Sequence, residues 1–408
     1  MARFFLSVPT LADAPDRCQS AIRQLTMLRE RVAKDSAVQS DALARIDAIL
    51  ESFTRSAGAC GALTRRFSTL VQSAETFFKE MEFGFLFDHT RKLFSIGYRV
   101  SDNSLDPTCY DLLASEARLT SFIAIAKGDV PSAHWFHLGR ALTPVDRGSA
   151  LVSWSGSMFE YLMPVLVMRS PSGSLIGQTC VLVVRRQRKY GTERGVPWGV
   201  SESAYNARDL QLTYQYSNFG VPGLGLQRGL SEDVVVAPYA TALAAMIDPK
   251  AAAENFLRLT KAGASGRYGF YEALDYTATR VPENQAVAVV RAYMAHHQGM
   301  SIVALANVLH DGVMRARFHA EPRMQATELL LQERTPRDVL VTRPRVEEVR
   351  AVANVRDLVP SVLRRFTSPH NPTPAVHLLS NGRYSVMVTT AGSGYSHWRN
   401  LAVTRWRE

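Results

Sequence analysis

The chain has 408 residues, of which 46% are hydrophobic and 21% are charged, as in an ordinary globular protein. This length exceeds what one core usually organises, so we expect one large domain with additional pieces. A net charge of +10 is spread along the chain rather than gathered in a block, so it only weakly favours nucleic acid or an anionic membrane surface.

No uninterrupted apolar run of about 18 residues occurs, which predicts that this chain does not itself span a membrane. The apolar patch at the N-terminus is too short for a secretion signal. The four cysteines have no CxxC spacing, so neither a disulfide framework nor a zinc site is indicated, and a reducing compartment fits best.

In chain order, residues 11–80 have helical apolar spacing and predict two or three helices. Residues 83–100 contain two short apolar runs joined by DHTRK, which predicts a β-hairpin. The apolar positions between Leu112 and Ile123 predict a buried helix with Asp111 and Glu116 on or beside it.

Residues 151–168 predict a Ser/Gly loop that leads into a helix with Glu160 at its start. The segment TCVLVVRRQRKYG predicts a helix with a solvated arginine-rich face. Residues 196–229 then place five aromatic side chains around the Glu202 carboxylate, between glycine and proline turns. Aromatic faces stack on sugar rings, and glycosidic-bond chemistry needs carboxylates.

Residues 234–262 predict a helix pair broken at Asp248-Pro249, and Glu272 follows within a second aromatic cluster. The run at 286–309 predicts a further helix pair, interrupted at Gly299 with His296 and His297 at the hinge. Adjacent helical positions face different directions, so a two-histidine metal site is not favoured, and we expect no metal or cofactor.

Beyond residue 340 the chain becomes polar and rich in proline, which predicts an extended linker at 341–374. Residues 375–408 alternate as hairpin strands around an Asn381-Gly382 turn. Because a strand pair needs further strands for stability, we expect this segment to be cut from something longer. The apolar helix pairs, with charged and aromatic residues in their connections, predict a mainly α fold, an (α/α)6 toroid barrel with small β-hairpin insertions and a partial β-strand segment at the C-terminus.

Glu116 and Glu202 each allow a structural and a catalytic interpretation. Glu116 is either an ion-pair partner for Arg118 or Arg140, or a proton donor whose pKa burial would raise. Glu202 is either a solvated residue at a helix start among core aromatics, or a catalytic carboxylate.

Ten ordered segments resemble the central domain of cyclic β-1,2-glucan synthases, over about residues 80–340. The segments are FSIGYRV, YDLLASEAR, AKGDVP, HWFHLGR, SWSGSMFEYLMP, VPWGVSESAYNARD, YQYSNFGVPGLGLQRGL, VVAPYATALAAM, GRYGFYEALDY and MAHHQGMS. The resemblance implies an (α/α)6 barrel related to the glycoamylase-like fold of β-1,2-glucanases, classed in glycoside hydrolase family 189. The implied activity is anomer-retaining transglycosylation that closes linear β-1,2-glucan into a ring.

The resemblance also implies roles for individual residues. Glu202 of SESAY would be the nucleophile, and Glu116 of LLASEAR would be the general acid/base, directly or through a substrate hydroxyl. The residues that would line the sugar subsites are Asp111, Glu160, Trp198, Tyr205, Arg208, Asp209 and Glu272.

We therefore expect a helical lead-in at 1–80, the transglycosylation domain at 81–340, the linker at 341–374 and the start of a phosphorylase-like β-sandwich at 375–408. The expected partners are a β-1,2-glucan chain and the neighbouring glucosyltransferase and phosphorylase-like domains, on the cytoplasmic side of a bacterial inner membrane. Three alternatives remain, namely a hydrolase of the same fold, a non-catalytic glycan-binding segment and a nucleic-acid binder. No basic stripe with interleaved aromatics supports the last one.

Overall fold

A computed structural model describes residues 8–34, 40–335, 342, 344, 368–370 and 375–404. The chain divides into two compact units, Met1–Phe87 and Asp88–Glu408. Across the described ranges the structure is mainly α-helical and carries several small sheets, in agreement with the predicted class. No helix in those ranges has both the length and the apolar character needed to cross a membrane.

The first unit contains helices α1 (Ala14–Ala33) and α2 (Ser40–Glu80), so the helices predicted at 11–80 are confirmed. Helix α1 has Pro15 in its first turn, where the missing backbone N–H costs nothing. Its buried residues recur at helical spacing, and Arg29 on its last turns donates to Asp47 of α2 at 3.1 Å.

The second unit contains nine α-helices in the described residues, most of them short. They are α3 (Arg118–Lys127), α4 (Ala133–His137), α5 (Met158–Leu162), α6 (Leu175–Arg194), α7 (Pro238–Ala245), α8 (Pro249–Lys261), α9 (Ala295–Leu309), α10 (Val313–Phe318) and α11 (Pro322–Thr327). Every residue of α7 is buried, and α7 contacts α5, α8 and α9, so it lies at the centre of the core.

Short antiparallel strands connect these helices. In chain order they are β1 (Phe87–Asp88), β2 (Leu93–Ser95), β3 (Tyr98–Arg99), β4 (Ser104–Leu105), β5 (Cys109–Tyr110), β6 (Leu142–Val145), β7 (Gly148–Leu151), β8 (Ser203–Arg208), β9 (Tyr214–Ser217), β10 (Val235–Val236), β11 (Ser265–Gly266), β12 (Gly269–Phe270), β13 (Ala273–Asp275) and β14 (Ala288–Val290). The turn of the hairpin predicted at 83–100 is closed by Lys92, whose backbone N–H donates to the Asp88 carbonyl at 2.7 Å.

Two predicted helices are shorter than their apolar patterns suggested. Helix α3 begins only at Arg118, so Glu116 lies in the turn before it rather than on it. The run at 286–309 is not a helix pair, because its first part forms β14 against β13 and its second part is the single helix α9. Gly299 does not interrupt α9, since a glycine at an exposed helical position weakens a helix without ending it.

The other helix predictions are confirmed. The TCVLVVRRQRKYG segment lies in α6, which ends at Gly195 in the left-handed conformation with φ 69°. The pair predicted at 234–262 forms α7 and α8, although Val235–Val236 at its start form strand β10 instead. The Asp248 side chain caps α8 by accepting from the Ala251 N–H at 3.0 Å.

Four further strands form a meander near the C-terminus, β15 (Val376–Ser380), β16 (Tyr384–Thr389), β17 (Gly394–Trp398) and β18 (Leu401–Thr404). The predicted Asn-Gly turn is confirmed, because Gly382 has φ 82° and the Asn381 Oδ1 accepts from the Tyr384 N–H at 2.8 Å. The linker predicted at 341–374 lies almost entirely outside the described residues.

Candidate active site

Glu202 lies one residue before strand β8, which corrects the interpretation of it as a helix-start residue. Strand β8 pairs antiparallel with β9, and this register places Tyr216 opposite Ala204. The Tyr216 hydroxyl consequently reaches back to Glu202 and donates to its Oε1 at 2.8 Å. On the other side, the Tyr239 hydroxyl of α7 donates to the Glu202 carbonyl at 2.9 Å. The backbone and the side chain of Glu202 are therefore both fixed.

Glu116 lies in the turn that precedes α3. Arg118 holds this turn, because its buried guanidinium donates to the carbonyl oxygens of Ser115 at 3.0 Å and Glu160 at 2.9 Å. Arg140 pairs instead with Glu333. Neither arginine hydrogen-bonds the Glu116 carboxylate, whose side-chain donor is the Ser115 hydroxyl at 3.1 Å. The charge of Arg118 nevertheless lowers the pKa of Glu116, so Arg118 attracts this carboxylate without hydrogen-bonding it.

The two glutamates, distant in sequence, are linked electrostatically. Burial raises the pKa of Glu202, the Tyr216 hydrogen bond lowers it, and repulsion from Glu116 raises it again. Burial also raises the pKa of Glu116. The charges of both glutamates also act on Tyr110, whose pKa is raised mainly by burial and further by Glu116 and Glu202. The charge of Glu116 therefore acts on the Glu202 carboxyl, and the charges of both act on the Tyr110 hydroxyl.

Behind Glu202 a second buried carboxylate faces a histidine. The Glu272 Oε1 lies 2.8 Å from His297 Nδ1 and also accepts from the Ala204 N–H at 3.2 Å. His297, in the first turn of α9, has its Nε2 at 3.4 Å from the Tyr216 hydroxyl. The Tyr239 ring stacks on the imidazole with a centroid distance of 3.8 Å. Four separate elements thus meet around the Glu202 side chain.

Glu160, predicted at a sugar subsite, is buried and hydrogen-bonded to the loop that precedes α5. Its carboxylate is 6% exposed and accepts from three serines of the preceding loop. The Oε2 receives the hydroxyls of Ser153 at 2.8 Å and Ser155 at 2.7 Å, and the Ser157 N–H at 3.1 Å. Ser157 completes a capping box for α5. These contacts assign Glu160 to holding the loop.

The remaining predicted subsite residues divide by exposure. Trp198 is 4% exposed, with its backbone bonded on both sides to Asn255 of α8, so its ring is part of the core. Asp111, Arg208 and Asp209 are exposed, and Tyr205 is half-buried beneath the guanidinium of Arg280. Asp209 uses its Oδ1 to accept backbone N–H groups of its own loop, and Arg208 donates to Tyr214.

Four residues of this site were not predicted, namely Tyr110, Tyr216, Tyr239 and His297. Tyr216 is one of the five aromatic residues noted around Glu202, and His297 was considered only as half of a metal-binding pair. The signal that could have identified His297 is its position in MAHHQGMS, one of the resembling segments. In the described residues no group of three or more His, Cys, Asp or Glu side chains is arranged to hold a metal ion.

A cavity of about 790 Å³ lies elsewhere in the second unit, between β7, α6 and α10. Neither Glu116 nor Glu202 lines it, and its charged lining residues include Arg147, Arg185 and Arg315. The electrostatic interaction of the two glutamates, rather than cavity size, therefore locates the candidate active site.

Comparison with known proteins assigns the family. The model named Glycoamylase, described as a putative glucoamylase, matches residues 109–322, which is more than half of the 408 residues. The chain belongs to the glycoamylase family. In this glycoamylase-family chain, residues 360–408 also match the supersandwich domain of glycosyl hydrolase 94.

A curated relative of this glycoamylase-family chain is the Cyclic beta-(1,2)-glucan synthase NdvB of Rhizobium meliloti (strain 1021). The two are 54% identical over 349 residues, which is 86% of this chain and 12% of the relative. The resemblance to cyclic β-1,2-glucan synthases is thereby confirmed. The chain spans only that small share of the relative's length.

Two solved structures are similar to the glycoamylase-family chain at 16% identity. An endo-beta-1,2-glucanase from Chitinophaga pinensis, in complex with sophorotriose and glucose, has a TM-score of 0.48 and covers 76% of this chain and 69% of its own. A mutant endo-beta-1,2-glucanase from Talaromyces funiculosus, in complex with beta-1,2-glucan, has a TM-score of 0.41. The match covers 59% of this chain and 54% of the glucanase chain.

Proposed function

We propose that this chain is an anomer-retaining transglycosylase that closes linear β-1,2-glucan into rings. The observation that carries the proposal is that Glu202, anchored by the Tyr216 hydroxyl, is subject to the charge of Glu116, which raises the pKa of Glu202. Glycosidic-bond chemistry typically uses such a pair of carboxyl groups. The β-1,2 linkage and ring closure come from the synthase to which the chain is similar.

The first step would form a covalent glucosyl-enzyme. A Glu202 oxygen attacks the anomeric carbon, the glycosidic C–O bond breaks, and the departing oxygen takes the proton of Glu116. Burial raises the pKa of both carboxyl groups, and the Tyr216 hydrogen bond opposes this shift at Glu202, which supports its ionised form as the nucleophile.

The second step would transfer the chain. The 2-hydroxyl at the far end of the same glucan attacks the anomeric carbon, gives its proton to the Glu116 carboxylate and displaces Glu202. Two inversions leave the anomeric configuration unchanged. Ring closure exceeds hydrolysis only if the exposed subsite residues hold the acceptor at a high effective concentration.

The finer architecture belongs to the same proposal. We expect the helices of 81–340 to follow an (α/α)6 toroid, between a lead-in at 1–80 and, after the linker, a β-sandwich start at 375–408. The partners would be a β-1,2-glucan chain and the adjoining glucosyltransferase and phosphorylase-like domains, at the cytoplasmic face of an inner membrane.

Incubation with linear β-1,2-glucan and mass measurement test this function. Ring closure removes one water from each chain length, whereas hydrolysis creates new reducing ends. Glu202→Gln should abolish product and Glu116→Gln should slow it by about 10²- to 10⁴-fold. Glu254→Gln, an exposed carboxylate of α8, serves as control. Full ring formation by Glu202→Gln would refute the proposal, and reducing ends alone would identify a hydrolase.

A further inference from the structure

A continuous line of polar contacts leads from the Glu202 carboxylate into the core. We define the relay as Tyr216, His297 and Glu272, which are linked in that order. Its contacts are 2.8 Å from the Tyr216 hydroxyl to Glu202 Oε1, 3.4 Å from that hydroxyl to His297 Nε2, and 2.8 Å from His297 Nδ1 to Glu272 Oε1. The relay ends on a carboxylate that is 2% exposed.

Each link of the relay lies within hydrogen-bond distance. When the Tyr216 hydroxyl donates to Glu202, its oxygen can accept from His297 Nε2–H. On its other side the imidazole faces the Glu272 carboxylate through Nδ1, so the relay joins the Glu202 side chain to a buried group.

The surroundings of Glu272 support this arrangement. A buried carboxylate is costly unless it is paired, and His297 is the group placed to pair with it. In the part of the chain that the structure describes, the Oε2 of Glu272 has no hydrogen-bond partner, so the carboxylate is engaged through Oε1, by His297 and by the Ala204 N–H. The stacked ring of Tyr239 keeps the imidazole in the plane that reaches both partners.

We propose that the relay is a positioning device that locks Glu202 Oε1 and presents Oε2 to the anomeric carbon. This inference rests on the proposed function, in which Glu202 is the nucleophile. It gives Glu272, expected at a sugar subsite, a role that acts through His297 instead. Tyr216 touches the reacting carboxylate, whereas His297 and Glu272 act through it.

The test isolates the nucleophilic step with a β-configured β-1,2-linked gluco-oligosaccharide fluoride as donor. Fluoride leaves without protonation, so the rate of its release in a single turnover reports the attack of Glu202 and not the acid. Tyr216→Phe removes one hydrogen bond to a charged group, which predicts release about 10- to 100-fold slower with unchanged half-saturation. Unchanged release would overturn the relay.

Two isosteres of His297 separate positioning from packing. His297→Gln places an amide near the Nε2 position and can still donate to Tyr216, whereas His297→Asn places it near Nδ1 and cannot. We expect the Gln variant to release fluoride at least about tenfold faster than the Asn variant. Equal rates, or the reverse order, would mean that His297 acts only by filling space.

Controls keep the outcomes distinct. Tyr216 is 43% exposed, so its phenylalanine variant opens no core cavity and should fold, as near-UV circular dichroism checks. Tyr190→Phe makes the same change on α6, beside Arg186 and Arg194, and should leave the rate unaltered. If Glu202→Gln still releases fluoride, the proposed function and the relay both fail. If Glu202→Gln releases no fluoride but Tyr216→Phe releases it at the full rate, only the relay is refuted.

Discussion

The structure predicts that Glu160 maintains the loop at 153–157 rather than binding sugar. Replacing it with glutamine keeps the shape and removes the charge. The amide nitrogen must then face either the Ser155 N–H, now 3.0 Å from Oε1, or the donors around Oε2. Either orientation sets one donor against another.

The size of the effect follows from the three shortest contacts, at 2.7, 2.8 and 3.0 Å. A hydrogen bond to a charged group contributes about 1 kcal/mol more than a neutral one, so Glu160→Gln should lower the free energy of unfolding by about 3 kcal/mol at most. Relief of charge burial reduces that figure. Glu160→Ala should cost about 4–6 kcal/mol, because it strands the buried N–H groups of Ser155 and Ser157.

Urea unfolding followed by circular dichroism measures this loss, and the KM for linear β-1,2-glucan is measured on the same samples. We expect a lower midpoint with an unchanged slope. Glu254→Gln provides the exposed control. An unaltered midpoint together with a raised KM would refute the reasoning and return Glu160 to a sugar subsite.

Two further predictions concern the walls of the site. Burial raises the pKa of Glu116 in the folded protein above its value in the unfolded chain, so the ionised form of Glu116 destabilises the fold. This cost is absent at a pH below the pKa of Glu116 in the unfolded chain, and it grows as the pH rises through the pKa in the folded protein. Glu116→Gln should therefore raise Tm by roughly 2–4 °C at about pH 7.5 and leave it unchanged near pH 4. Thermal unfolding scans at both pH values measure this difference. An equal rise in Tm at both pH values would contradict the electrostatic cause. Gly220→Ala should prevent folding, because the added Cβ would lie 1.8 Å from the Ser155 carbonyl oxygen. In contrast, the Cβ added by Gly299→Ala meets no atom within 4 Å, so this substitution should stabilise α9 by about 0.5–1 kcal/mol. Soluble yield and urea midpoints measure both, and a well-folded Gly220→Ala variant would contradict the close approach.

The sequence predicted most helices because their signals are local. Asp248-Pro249 caps α8 and Gly195 ends α6 through contacts within a few residues. The apolar run at 286–293 was assigned wrongly because a short buried strand and a buried helix have the same composition. This run forms a strand because β14 pairs with β13, and a contact between two strands cannot be inferred from local composition.

The candidate site was predictable only in part for the same reason. No spacing rule connects Glu116 with Glu202, and the resemblance supplied both. Periodicity could not separate Trp198, held in the core by Asn255, from aromatic side chains at the surface. The link from His297 to Tyr216 depends on the register of two strands and the start of a helix far along the chain.

The contact of Gly220 and Gly225 with Ser155 also bears on how such enzymes diversify. There, main chain touches main chain, and no side chain can enter without displacing it. The hairpin tip at 209–213, where Leu210 is 97% exposed, has no such constraint. Sequence variation should accordingly be tolerated in that tip, and libraries that vary it should yield folded proteins far more often than libraries aimed at the glycines.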